Sequence, residues 1–126
     1  MEGALAVAAR AREGFASLGL DNILLVEGNF DDTLEEALSQ MPAAELVFID
    51  GNNREDPTLR YFRQCLRKAS DESIFILDDI HWSREMESAW EQIKAHPDVR
   101  CTIDLFFVGI VLFRDAFRDV RRKADT

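Results

Sequence analysis

Carboxylates close three short apolar runs of the chain: Glu27 follows Ile23 to Val26, Asp50 follows Leu46 to Ile49, and Asp78 and Asp79 follow Ile74 to Leu77. Carboxylates held close together cannot all stay ionised without a counter-charge, so such a group implies raised pKa values or a bound cation. Oxygen-only ligands favour Mg²⁺, Ca²⁺ or Mn²⁺ over zinc. His81, three residues past Asp78, offers a nitrogen base, and Trp82 beside it offers a stacking surface. Each residue alone has a plainer reading: Asp-Gly is a turn, Asp-Asp a helix start, a loop histidine a surface hydrogen-bonding group. Three strand ends in register favour a shared cleft, because open parallel sheets bind ligands beyond the carboxyl ends of their strands.

The elements that must position these groups alternate. Leu5, Ala8, Ala9, Phe15 and Leu18 recur at helical spacing, and Gly19 follows where a left-handed cap belongs. The run Ile23 to Val26 reads as a strand, and Asp32 with Glu35 reads as a capping box before a helix from Thr33 to Met41. Leu46 to Ile49 reads as the next strand. Asp56 as N-cap and Pro57 as first helical residue then open a helix whose buried stripe is Leu59, Phe62, Leu66 and Ala69. Ile74 to Leu77 is a third strand, and a helix from about Ser83 carries the stripe Met86, Ala89, Trp90 and Ile93 up to His96-Pro97. Strands apolar at every position, separated by helices, indicate a parallel sheet covered on both faces. Val99 to Leu105 and Gly109 to Phe113 are too close for a helical crossover and predict an antiparallel hairpin.

With 126 residues, 47% of them hydrophobic, the chain suits one α/β domain. Twenty-four acidic against fifteen basic residues give a net charge of −9, which disfavours nucleic acid and anionic membranes as partners. The basic cluster Arg118, Arg121, Arg122 and Lys123 reads as solvated tail. No apolar run reaches the roughly 18–20 residues of a membrane span. Cys65 and Cys101 match no metal spacing or disulfide framework, which favours a reducing, cytoplasmic setting.

Together, LVFIDGNNR, SIFILDDIHWSREMESAWEQI and TIDLFFVGIVLF resemble the second half of a class I S-adenosylmethionine-dependent methyltransferase. The likeness is greatest to bacterial small-molecule O-methyltransferases related to catechol O-methyltransferase, and it runs from about Glu2 to Arg114. It implies a Rossmann-like, mostly parallel sheet with a terminal antiparallel hairpin, lacking the first strands of the full fold. By position, Asp50, Asp78 and Asp79 match the family's divalent-metal ligands, which hold Mg²⁺ beside the acceptor hydroxyl. Asn29, Phe30 and Asp31, in GNFDD, match the segment that meets the adenine, and Glu2 the acid that binds the ribose. His81 is the candidate catalytic base.

Two departures accompany the likeness. No G-x-G occurs in the sequence, so the loop that brings backbone to the cofactor's methionine end has no counterpart. Asn52 and Asn53 stand where related sequences often carry a histidine after Asp-Gly, and asparagine is no base near neutral pH. If the strands that the likeness leaves out belong in mid-sheet, two apolar edges are exposed, and either rearranged strand pairing or association of copies into a dimer or larger assembly is expected. The alternatives are a non-catalytic remnant acting in subunit association and a phosphoacceptor receiver domain. The receiver is disfavoured because its acid pair belongs on the first strand.

Overall fold

The computed structural model describes residues 1–117, so the basic cluster at Arg118, Arg121, Arg122 and Lys123 lies outside the described residues. The chain divides into two compact units, Met1–Met41 and Pro42–Thr126.

In the first unit, helix α1 spans Leu5–Ser17 and α2 spans Phe30–Ser39. Gly19, at φ 68°, takes the left-handed conformation that ends α1, as its position implies. The expected strand at Ile23 to Val26 does not form a ladder. A single parallel bridge joins Glu2 to Glu27, with the Glu2 amide donating to the Val26 carbonyl (2.9 Å) and the Gly28 amide to the Glu2 carbonyl (3.0 Å). Ile23 and Leu24 are exposed. An apolar run becomes a strand only where another backbone pairs with it, and among the described residues pairing ends at this bridge. The cap of α2 also differs from the expected box at Asp32: Asn29 is the N-cap, and its side chain accepts from the Asp31 amide at 3.0 Å.

The second unit holds a four-stranded sheet. Strand β1 is Leu46–Ile49, β2 Ile74–Asp78, β3 Cys101–Asp104 and β4 Val108–Leu112, in spatial order β1-β2-β4-β3. β1 and β2 are parallel, and β4 pairs antiparallel with both β2 and β3, so the terminal hairpin is present. Helix α3 (Glu55–Leu66) crosses from β1 to β2, and α4 (Arg84–Lys94) leads into the hairpin.

The sheet's two faces differ sharply in cover. Alternation places Val47, Phe75, Leu77, Gly109 and Val111 on one face. Phe75, Leu77 and Val111 are fully buried there, Phe62 of α3 meets Phe75 edge-on at 6.0 Å, and Trp90 of α4 lies over Gly109. A Cβ at Gly109 would stand 2.5 Å from the Trp90 ring, so glycine is what lets the indole reach the sheet. The opposite face carries Leu46, Phe48, Ile74 and Ile103, all exposed.

α3 and α4 are joined by the buried contact of the Thr58 hydroxyl with the Met86 sulfur (3.5 Å). Glu55 adds a polar clasp, accepting from Ser88 (2.8 Å) and Gln92 (2.6 Å). The anticipated stripe of α4 is buried in full: Met86, Ala89, Trp90 and Ile93. Helix α3 begins at Glu55, with Arg54 as N-cap and no side-chain cap, rather than at Asp56 and Pro57. Pro57 is still within the first turn, where a missing amide hydrogen leaves no helical bond unmade.

Candidate metal and acceptor site

Asp50 follows β1, Asp78 ends β2, and Asp79 follows it. Because β1 and β2 are parallel with Ile49 opposite Leu77, both strands deliver their next residues to the same end of the sheet. One carboxylate oxygen from each of Asp50, Asp78 and Asp79 lies within 4.8 Å of the others. Asp50 is exposed and the other two are half-buried. Three anionic oxygens converging from two strands suit a hard, oxygen-preferring divalent cation, and the spacing is open enough for waters to complete its shell.

The local backbone around this group is unusual. Asp79 and Asn52 both have positive φ, 58° and 51°, a conformation that aspartate and asparagine tolerate better than other side chains. At Asp79 the reversal breaks the strand's alternation, so two successive carboxylates can serve one site. Asn53 donates to Asp79 Oδ2 at 3.2 Å, and Asn52 to the Tyr61 hydroxyl at 3.4 Å. Asn53 thus holds the Asp79 carboxylate, and Asn52 ties its loop to α3.

The hairpin tip reaches the same place. The Asp79 amide donates to the Phe107 carbonyl at 2.8 Å, tying residues 105–107 to the end of β2. His81 Nε2 lies 2.7 Å from Asp104 Oδ2, its ring stacks on Phe106 (5.4 Å, 28°), and Nδ1 is 4.0 Å from Glu87. The His81 contact first, and the Phe106 backbone amide second, hold the Asp104 carboxyl below the ordinary carboxylate range. Asp79, His81, Trp82, Phe106 and Phe107 line one cavity of ≈180 Å³.

Sequence reasoning did not single out Asp104, Phe106 or Phe107. Their role depends on the hairpin register, which sets Asp104 opposite Gly109, and the one available signal was the apolar run LFF at a turn.

The residues matched to cofactor binding all lie in the first unit. The bridge to Glu27 sets Glu2 beside Gly28, which has φ 124°, and Glu2 Oε1 accepts from the Ala4 amide (2.9 Å) at the start of α1. Asn29 caps α2, Phe30 is its first residue, and Asp31 stands in its first turn. The structure therefore brings Glu2 and the GNFDD segment together, and separately gathers Asp50, Asp78, Asp79 and His81 in the second unit.

Among the described residues no helix is long and apolar enough to cross a membrane. No curated protein sequence matches the chain. Solved structures do share its fold. A methyltransferase of Podospora anserina with S-adenosylhomocysteine bound superposes with a TM-score of 0.72 at 18% identity, over 91% of this chain and 59% of that one. The O-methyltransferase of Bacillus cereus in complex with S-adenosylhomocysteine gives 0.70 at 18%, over 87% and 60%. TomG of Streptomyces achromogenes, an O-methyltransferase involved in tomaymycin synthesis and bound to S-adenosylmethionine, gives 0.69 at 18%, over 90% and 60%. The chain thus spans about 59–60% of the length of these proteins. Over that length they share the chain's α/β fold. Residues 2–80, more than half of the chain, match a family model described as a methyltransferase domain, and the chain belongs to that family.

Proposed function

We propose that this chain serves S-adenosylmethionine-dependent methyl transfer to a small molecule, O-methyl transfer assisted by a divalent metal. The observation that carries this reading is the convergence of Asp50, Asp78 and Asp79 at one end of a methyltransferase sheet. The presence of S-adenosylhomocysteine or S-adenosylmethionine in neighbours of the same fold supports the choice of cofactor.

In this reading Asp50, Asp78 and Asp79 would hold Mg²⁺, which would supply a Lewis acid to lower the pKa of an acceptor hydroxyl and orient it. The chain's own residues do the rest. Asn53 fixes the Asp79 carboxylate, and the Asp79 amide fixes the hairpin tip. His81, held through Nε2 by Asp104, is the candidate base that takes the acceptor's proton. Glu2 addresses the ribose hydroxyls of the cofactor, and Asn29, Phe30 and Asp31 its adenine. No covalent intermediate with the protein is needed, so alignment of acceptor and methyl donor carries most of the rate.

A second reading, a non-catalytic subunit that uses the same core for association, is favoured by one observation: the exposed apolar sheet face at Leu46, Phe48, Ile74 and Ile103. Calorimetric titration with Mn²⁺, on the native chain and on Asp78→Asn, bears on the choice. Micromolar to millimolar binding by the native chain, weakened at least about tenfold by the loss of one anionic ligand, supports the metal-assisted enzyme. Equal heats for the two proteins would remove the metal from it.

A further inference from the structure

We propose that the cavity between the end of β2 and the hairpin tip binds small organic cations, with an alkylated ammonium group as the part recognised. Three aromatic rings line it. Phe106 and Phe107 stand perpendicular to each other (5.1 Å, 89°) and form a corner, and Trp82 contributes a third aromatic wall. All three are mostly exposed, at 63%, 72% and 71%, an arrangement that gains nothing for the core; Phe106 lays one face on His81, and the Phe107 and Trp82 rings are left to offer π-electron faces to a ligand. Phe106 holds a positive φ of 73°, costly for a bulky side chain, and the Asp79–Phe107 and His81–Asp104 contacts maintain that backbone.

The charge around the cavity selects the ligand's sign. Asp79 lines it, Asp50 and Asp78 adjoin Asp79, and Asp104 and Glu87 flank His81 on its two sides. Three aspartates around one divalent metal retain a net negative charge, so the site stays acidic in the metal-bound state. Anionic acceptors are repelled from such a rim, and neutral aromatic ones gain stacking but no charge attraction. A quaternary or protonated amine gains both. A volume of ≈180 Å³ suits a trimethylammonium group with a short chain.

The cavity's role as acceptor site rests on the methyl-transfer reading above; cation binding itself does not. The test is a nitrogen-15 NMR titration of the whole chain with choline, and in parallel with its neutral isostere 3,3-dimethylbutan-1-ol, at constant Mg²⁺. The Trp82 indole N–H reports the cavity, and Trp90, 1% exposed with its Nε1 buried, is the internal reference. Saturable millimolar binding of choline that shifts Trp82 and not Trp90, about tenfold or more weaker for the alcohol and lost in Phe107→Leu, is expected. Phe107 is exposed enough for that variant to fold. Absence of a saturable Trp82 shift, equal affinity for the alcohol, or undiminished binding in Phe107→Leu would overturn the assignment. A failed choline titration leaves S-adenosylhomocysteine binding untouched, and the converse also holds, so the two readings fail separately.

Discussion

Gly109 carries the sharpest constraint on any one residue, because its missing side chain is the space that the Trp90 ring occupies. Gly109→Ala should lower stability by about 1–3 kcal/mol in urea unfolding, since an added methyl in a packed contact must displace the ring or the strand. An unchanged midpoint would mean that Trp90 moves freely. Cys65 gives a second test. Burial pushes its thiol up from 9.0 to about 11. The unfolded chain would release that proton from about pH 9, so the group's contribution is complete below 9 and is lost as pH rises toward 11, on the order of 2 kcal/mol in all. Iodoacetamide at about pH 8 should therefore label Cys65 only after denaturation, as read by mass spectrometry; labelling of the folded chain at the denatured rate would contradict its burial. Of the site, the aspartates were legible in the sequence because strand ends announce themselves by composition. The His81–Asp104 pair was not, since those residues are 23 positions apart and meet only through hairpin register.

Among the elements, α4 followed its pattern most closely. Ser83 caps it by accepting from the Met86 amide at 3.2 Å, and every residue of its apolar stripe is buried. Ser83→Ala should cost about 1 kcal/mol, whereas Arg54→Ala before α3 should cost little, because Arg54 makes no side-chain cap. Thermal unfolding of the two variants checks the difference; equal losses would show that the Ser83 hydrogen bond carries no net weight. The less legible elements share a physical cause. Local chemistry allowed α2 to be capped at Asn29 or at Asp32, and α3 at Arg54 or at Asp56, and helix ends shift by such small steps with little change in local hydrogen bonding. The run Ile23 to Val26 has strand composition, yet composition supplies no partner, and the ladder stops at the Glu2–Glu27 bridge.

At the scale of the whole molecule, runs apolar at every position required cover on both faces of the sheet, and that reading explains the most conspicuous surface of the chain. α3 and α4 bury one face, while Leu46, Phe48, Ile74 and Ile103 leave the other apolar and exposed. The chain should therefore self-associate, with a sedimentation coefficient that rises with concentration, and Phe48→Lys should weaken that association. A monomer at all concentrations, unaffected by the substitution, would contradict it. Whether this chain takes up the S-adenosyl cofactor proposed for it is read out by calorimetric titration of S-adenosylhomocysteine into the folded chain with and without Mg²⁺. Saturable micromolar binding that is weakened in Asn29→Ala is the expected result; no heat from a sample shown to be folded would mean that the chain does not hold the cofactor.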